Sequence, residues 1–328
     1  LFKTSLRNIQ TMSNTVKRLY ITEAEVNEML DMNLALEALD EVFKARSAGE
    51  VRNEPRHRLP AGNGSMNFMA ATWPEKGWAG HKSYVSGDFR VTLYGTKGEG
   101  LLALIGAGRM GQVRTGAASG IATKYMARED ASSVGIIGSG YQAQTQLEAV
   151  CAVRDIKDVK VFSRSVEKRD RFAGTMSERL NVNVIAVDSK EAAAEGMDVL
   201  VAVTSSIEPV ITGEMVELGM HINAAGNNSW MKRELDTAAI VKADLVACDD
   251  IDQTKIECGE LMRAVEVGRF AWESMVRLDR IVAGLRIGRY SDDDITLFES
   301  QGVAFEDLAV CGRLYEMALE RGIGTELA

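Results

Sequence analysis

The stretch Ser133-Val134-Gly135-Ile136-Ile137-Gly138-Ser139-Gly140-Tyr141-Gln142-Ala143 constrains this chain most, because an apolar strand pattern runs into a glycine turn and then a helix. Gly138 permits the tight turn, Gly140 lets backbone approach a pyrophosphate, and Ala143 stands where a small residue allows close helix–strand packing. Free N–H groups at the helix start suit phosphate charge. The bare pattern is weak, but its context is not. Ala143, Leu147, Val150 and Cys151 continue at helical spacing, and Val159-Lys160-Val161-Phe162 supplies the second strand of a βαβ unit. Strand patterns at Val182 to Val187, Val199 to Val203, His221 to Ala225 and Leu245 to Cys248, with a helix from Lys190 to Glu195, extend this into a doubly wound parallel α/β sheet of Rossmann type.

The N-terminal part reads differently. Thr22 and Glu25 form a capping box for a helix carrying Val26, Met29 and Leu30, and a second helix runs from about Leu34 to Ala48 before Gly49. Residues 51 to 105 alternate apolar runs with Gly, Asn and Pro, as in Ser65 to Ala70, Ala79 to Val85 and Leu101 to Ile105, which predicts a mixed or antiparallel sheet. A helix rich in Gly116, Ala117, Ala118 and Gly120 is expected from Thr115 to about Met126, and a last one from about Glu306 to Glu320 can return to the first sheet. With 328 residues, the chain has room for two cores. The expected division is 18–116 with 304–328 as an α+β substrate and dimerisation domain, and 117–303 as the dinucleotide domain.

A net charge of −9 offers no global attraction to nucleic acid or anionic lipid, so an anionic ligand needs a local cationic cluster. No apolar run reaches the roughly 18 residues of a membrane span. Cys151, Cys248, Cys258 and Cys311 lack a CxxC spacing, and His57, His81 and His221 form no ligand pattern, so a reducing, cytoplasmic setting without a structural metal is expected. The first twenty-two residues carry Lys3, Arg7, Lys17 and Arg18 and no acid; an upstream extension before Met12 is the plainer reading than a targeting segment.

Three segments carry chemistry. The second strand ends without the usual ribose-binding acid, in Ser163-Arg164-Ser165 with Lys168 and Arg169 following, which suits a 2′-phosphate and favours NADP over NAD; charge-assisted bonds there are worth roughly 1.5–3 kcal/mol each. The alternative is a solvated helix face. Gln112-Val113-Arg114-Thr115-Gly116-Ala117-Ala118-Ser119 places an arginine at the expected helix start, which suits a carboxylate or phosphate. His221-Ile222-Asn223-Ala224-Ala225-Gly226-Asn227-Asn228-Ser229 ends a strand in small and amide residues at the ligand-binding edge of such sheets. The candidate cofactor contacts are therefore Thr115, Gly138, Ser139, Gly140, Tyr141, Gln142, Ala143, Ser163, Arg164, Ser165, Lys168, Thr204, Ser205, Asn223, Ala225 and Gly226.

The Arg-Thr-Gly-Ala-Ala segment, the GIIGSGYQAQ turn, HINAAGN and Ile295-Thr296-Leu297-Phe298-Glu299-Ser300-Gln301-Gly302 occur in an order and spacing that resembles the ornithine cyclodeaminase and mu-crystallin family, from about Tyr20 to Gly322. The resemblance implies a Rossmann domain plus a substrate domain that dimerises, and an imino- or amino-acid substrate. It places Arg56, Lys82 and Arg114 at substrate-holding positions, with Met69 beside them. Arginine forks grip a carboxylate, and a lysine in a cationic pocket can exchange a proton. Asn228 stands where the family's cyclodeaminases have an aspartate; an amide does not titrate and cannot serve as a general base.

These residues lead to the expectation of an NAD(P)H-dependent reductase of a small 2-imino acid or cyclic ketimine carboxylate, with Lys82, Arg114 and Asn228 at the reacting centre and a homodimeric assembly. The alternatives are a cyclodeaminase that uses bound NAD and releases ammonia, a mu-crystallin-type binding protein, and a remnant without activity. Trp73, Trp78 and Tyr84 are candidates for the pocket wall, and the segment from Gln253 to Leu261, with Glu257 and Glu260, reads equally as a helix or an exposed loop.

Overall fold

The computed structural model describes residues 16–327; Met12 and the basic segment before it lie outside that range. β1 (Leu19–Ile21) leads into α1 (Glu23–Met29), where Thr22 Oγ1 accepts from Glu25 N–H at 3.3 Å and Glu25 Oε2 accepts from Thr22 N–H at 2.7 Å. Asp31 caps α2 (Met32–Ala48), so this helix starts two residues before Leu34, and Gly49 ends it at φ 86°. Next come the antiparallel strands β2 (Arg52–Ala61), β3 (Gly64–Trp73), β4 (Trp78–Val85), β5 (Asp88–Gly95) and β6 (Gly100–Gly106). β6 also pairs in parallel with β1.

α3 (Gly108–Met126) then runs between the two sheets. After it follow β7 (Ser133–Ile137), α4 (Tyr141–Val153), β8 (Asp158–Phe162), α5 (Val166–Leu180), β9 (Asn183–Ala186), α6 (Lys190–Ala194) and β10 (Val199–Ala202). β11 (His221–Ala224), α7 (Thr237–Lys242), β12 (Leu245–Cys248), α8 (Ile251–Glu257), α9 (Gly259–Glu266), β13 (Val276–Arg277), α10 (Leu278–Val282) and β14 (Thr296–Glu299) continue the alternation. The second sheet has the order β13-β12-β14-β11-β10-β7-β8-β9 and is parallel throughout, as buried α/β sheets are. α11 (Ala304–Arg321) and β15 (Thr325–Glu326) close the chain, and β15 completes the first sheet in the order β15-β1-β6-β5-β4-β3-β2.

α11 returns to the first sheet. Phe305 meets Phe43 edge to face at 5.4 Å, and Gly312 yields its place to the Trp78 indole, which a Cβ there would approach to 2.4 Å. Trp78 in turn packs edge-on against Trp73, so both tryptophans belong to the core and only Tyr84 of the three aromatic candidates reaches a cleft. Gly116 and Gly120 let α3 lie close to α4: a Cβ on Gly116 would fall 2.3 Å from the Thr145 carbonyl oxygen.

One local expectation fails. α3 begins at Gly108, not Thr115, so Arg114 sits nearly two turns inside the helix and has no free N–H groups beside it. The glycines at 108 and 111 weakened the helical signal there. The true helix start is occupied by protein: Gly108 and Arg109 N–H donate to the Glu23 carboxylate at 2.6 and 3.1 Å.

Candidate active site

The glycine turn joins β7 to α4. Gly138 has φ 119°, and a Cβ there would stand 2.3 Å from the Val203 carbonyl oxygen, so only glycine fits. Nothing lies within 4 Å of where a Cβ on Gly140 would project, and no side chain caps α4. An open glycine at an uncapped helix N-terminus fits a dinucleotide pyrophosphate. Ser163 Oγ accepts from Ser139 Oγ at 2.8 Å, which ties the end of β8 to this turn, while Ser165 Oγ is committed to capping α5 through Lys168 N–H. Arg164 is exposed at the strand end, and Lys168 joins Ser139, Gly140 and Tyr141 in a shallow cleft. Arg169 is not available to a ligand there: it is buried, paired with Asp188 and set over the Phe162 ring.

A second cleft, of about 470 Å³, lies between the sheets. Arg56, Met69, Lys82, Arg114 and Thr115 line it from the first sheet and α3; Tyr141 and Gln142 reach it from the start of α4, just after the glycine turn; Ala225, Gly226 and Asn228 reach it from the end of β11. Ser205 lies exposed on the loop after β10. Asn223 corrects one expectation: it is fully buried, its amide donates to Thr123 Oγ1 at 3.0 Å and its carbonyl faces His221, so it braces the sheet rather than facing the cleft.

Local chemistry positions each cation. Pro55 cannot donate to a ladder, and the β2–β3 register shifts between Glu54 and His57; within this irregularity Arg56 turns inward and its N–H donates to Gln253 Oε1 at 2.6 Å. Arg56 Nη1 pairs with Glu257 at 2.5 Å, and Nη2 donates to the carbonyls of Gln301 and Gly302. Lys82 projects inward from β4, opposite Met69, and donates to Asp307 Oδ1 at 3.1 Å; Gly111 leaves room for its ammonium. Arg114 Nε donates to the same Asp307 oxygen and Nη1 to Glu306, both at 2.8 Å. Gly302, at φ 73°, admits the guanidinium, which a Cβ would approach to 2.7 Å.

Burial pushes the Lys82 ammonium below its ordinary pKa, Asp307 pulls it back up, and Arg114 and Arg56 push it down again. Burial also opposes ionisation of Asp307, but Arg114 and Lys82 outweigh it and hold the carboxyl below its usual value. Among the described residues no carboxylate lines this cleft; Glu257, Glu306 and Asp307 pair with the cations without forming part of its lining. The cleft therefore favours an anion with an apolar body beside Met69, Tyr84 and Phe89.

Sequence patterning did not find the supporting acids. Glu306 and Asp307 sit in the acidic first turn of α11, which suits the helix dipole, but nothing in their spacing points to residues some 190 positions earlier. The segment from Gln253 to Leu261 is α8 and the start of α9, not a loop, and it buries Glu257 against Arg56 and Arg58. Asp249 accepts from Gln301 and Gly302 N–H at 2.8 and 2.7 Å and so fixes the turn under Arg114.

A buried acid group lies in the second sheet's core. Cys258, Glu260 and Glu299 place donor atoms within 4.8 Å of one another, a juxtaposition invisible in the scattered cysteines. Burial first, and neighbouring Glu234 second, push Glu260 up to about 8; burial and Glu260 raise Glu299 well above its ordinary value. Between about pH 5 and 8 the unfolded chain has lost the Glu260 proton while the folded chain retains it, so stability falls as pH rises, by up to about 1.4 kcal/mol per pH unit, and the raised Glu299 acts with the same sign. His221 acts on the other side: burial pushes it down to about 3, so stability falls as pH drops below its ordinary 6.5. The melting temperature should peak in mild acid and decline toward pH 8, and Glu260→Gln should flatten that decline; a steady rise from pH 5 to 8 would contradict this account.

A two-sheet α/β architecture with a dinucleotide turn facing a cationic cleft defines a class of nucleotide-dependent enzymes acting on small acids. Within that class, the model of the ornithine cyclodeaminase/mu-crystallin family matches residues 16–322, and the chain belongs to that family. An alanine dehydrogenase of Archaeoglobus fulgidus is 34% identical over 324 residues, spanning 95% of this chain and 98% of its own. The structure of Thermococcus litoralis Δ1-pyrroline-2-carboxylate reductase with NADH and L-proline superposes with a TM-score of 0.90 at 31% identity, covering 94% of this chain and all of that one. An archaeal alanine dehydrogenase dimer with bound NAD gives 0.88 at 34% identity, covering 95% and 99%. No described helix is long and apolar enough to cross a membrane.

Proposed function

We propose that this protein is an NAD(P)H-dependent reductase of a small 2-imino acid or cyclic ketimine carboxylate, running reversibly as an amino-acid dehydrogenase. The observation that carries this reading is the convergence of Arg56, Lys82 and Arg114, next to the glycine turn, on a cleft that no carboxylate lines among the described residues. Four cations meet three carboxyl groups here: Asp307 is shared by Lys82 and Arg114, Glu257 by Arg56 and Arg58, and Glu306 pairs with Arg114 alone. That sharing leaves positive charge for a substrate carboxylate.

Gly138 to Ala143 would hold the pyrophosphate, and Ser163, Arg164 and Lys168 an adenosine 2′-phosphate, so that NADP is preferred over NAD. The bound nicotinamide supplies or accepts hydride at the substrate's imine carbon. Arg114 and Arg56 grip the carboxylate, and in the reduction Lys82 donates the proton that the imine nitrogen takes up as the C=N double bond becomes single. Asn228 contributes a polar, non-titrating neighbour, and its carbonyl is held by Arg58 at 2.9 Å. Among the described residues no acid lines the cleft to hold a substrate's distal ammonium, which disfavours ornithine and lysine.

The resemblance to a dimeric relative, and a sheet face opposite α11 carrying Phe68, His81 and Tyr94 in aromatic contact, support a homodimer through the first sheet. The functional reading is tested by cofactor oxidation at 340 nm with 2-oxo acids plus ammonia or methylamine, and with preformed cyclic imines. Net oxidation that requires the amine and is faster with NADPH is expected; ammonia release from ornithine without net cofactor change would replace this reading with a lyase.

A further inference from the structure

In an open parallel sheet whose first turn meets the pyrophosphate, the adenosine half extends over the β8 side and the other half over the side of β10 and β11. The loops that follow those two strands are tied together by one side chain. Glu234 Oε1 accepts from both the backbone N–H and the hydroxyl of Thr204, at 2.6 and 2.7 Å, and its Oε2 accepts from Gly226 N–H at 2.7 Å. Its own carbonyl accepts from Val210 and Ile211 N–H, which anchors the residue from a third segment. The carboxylate is 1% exposed, and a Cβ on Gly226 would stand 2.3 Å from Thr204 N and 2.5 Å from Glu234 Oε1. Gly226, with Ala225, Asn227 and Asn228, forms one wall of the cationic cleft.

We propose that Glu234 is a positioning residue: it locks the wall of residues 225–228 to the loop at Thr204 and so seats the nicotinamide half of the dinucleotide, not the adenosine half. Its expected effect on rate rests on the reductase reading, whereas its effect on binding does not.

Glu234→Gln preserves size, but its amide nitrogen must face a donor at either Thr204 or Gly226, so one loop is released. The exchange also removes a carboxyl from beside Glu260 and Glu299, so the fold should persist. Calorimetric titration should show NADH bound about tenfold more weakly, while ADP-ribose, which lacks the nicotinamide, changes by less than about twofold. Equal losses for both ligands would mean that Glu234 only holds the domain together and would overturn the proposal, as would no loss in either. Gly226→Ala leaves the Glu234 carboxyl in the chain but drives a methyl between it and Thr204, forcing the same loops apart, and should reproduce the split; it decides alone if the first variant does not fold. Failure of the reductase reading shows up separately, as absence of net cofactor oxidation with imines while the binding split persists.

Discussion

Arg114→Ala should reduce kcat/KM by about 30- to 4000-fold, the effect of removing about 2–5 kcal/mol of buried, charge-assisted carboxylate binding. Arg114 lies on a packed helix, and Asp307 and Glu306 fix its guanidinium through Nε and Nη1, so substrate meets an oriented group rather than a mobile one. The same pairing complicates the experiment, because alanine leaves buried Glu306 without its cation and Asp307 with Lys82 alone, a defect worth about 3–5 kcal/mol of stability. Arg114→Lys separates the two effects. It keeps a charge near Asp307 and Glu306 but cannot reproduce the planar fork, so it should lose one to two decades of kcat/KM with little change in melting temperature. Near-normal kcat/KM in the lysine variant, with the expected stability retained, would remove Arg114 from the substrate site.

Lys82→Met should lower kcat by about 10²- to 10⁴-fold toward a cyclic imine that arrives unprotonated, because among the described residues no other lysine lines the cleft. The pH profile adds a sign. In reduction the ammonium form is the active one, so kcat should fall as pH rises through the Lys82 pKa, which burial holds below its ordinary 10.5. Asp307 pulls that pKa upward; Asp307→Asn should therefore move the alkaline limb to lower pH, and Lys82→Met should abolish the limb. An alkaline limb unchanged in both variants would assign the proton to another group.

The Rossmann half was legible because its signals are local: a buried strand, Gly138 and Gly140, then a helix with Ala143 facing the sheet. The antiparallel half was legible as alternating short runs, and Thr22 with Glu25 announced α1 outright. What stayed hidden depends on distant pairing. Arg114 was picked for a helix start that lies elsewhere, and its actual environment comes from Asp307, Glu306 and the left-handed Gly302. Asn223 carried the polarity of a ligand contact, yet β11 turns it toward Thr123 on α3, in the buried layer between helix and sheet. Arg169 and Lys168 are adjacent in sequence, but helical geometry buries the first on Asp188 and leaves the second at the cleft beside the glycine turn. Strand and helix periods give the face a residue occupies; they do not name its partner from another element.

The central claim is net hydride transfer to an imine carbon, and it is tested most directly by supplying cofactor deuterated at C4 of the nicotinamide together with a cyclic imine carboxylate. Deuterium fixed at the α-carbon of the amino-acid product, with one cofactor oxidised per product formed, is the expected result. Product without label, or ammonia released from a diamino acid while the cofactor pool stays constant, would contradict it.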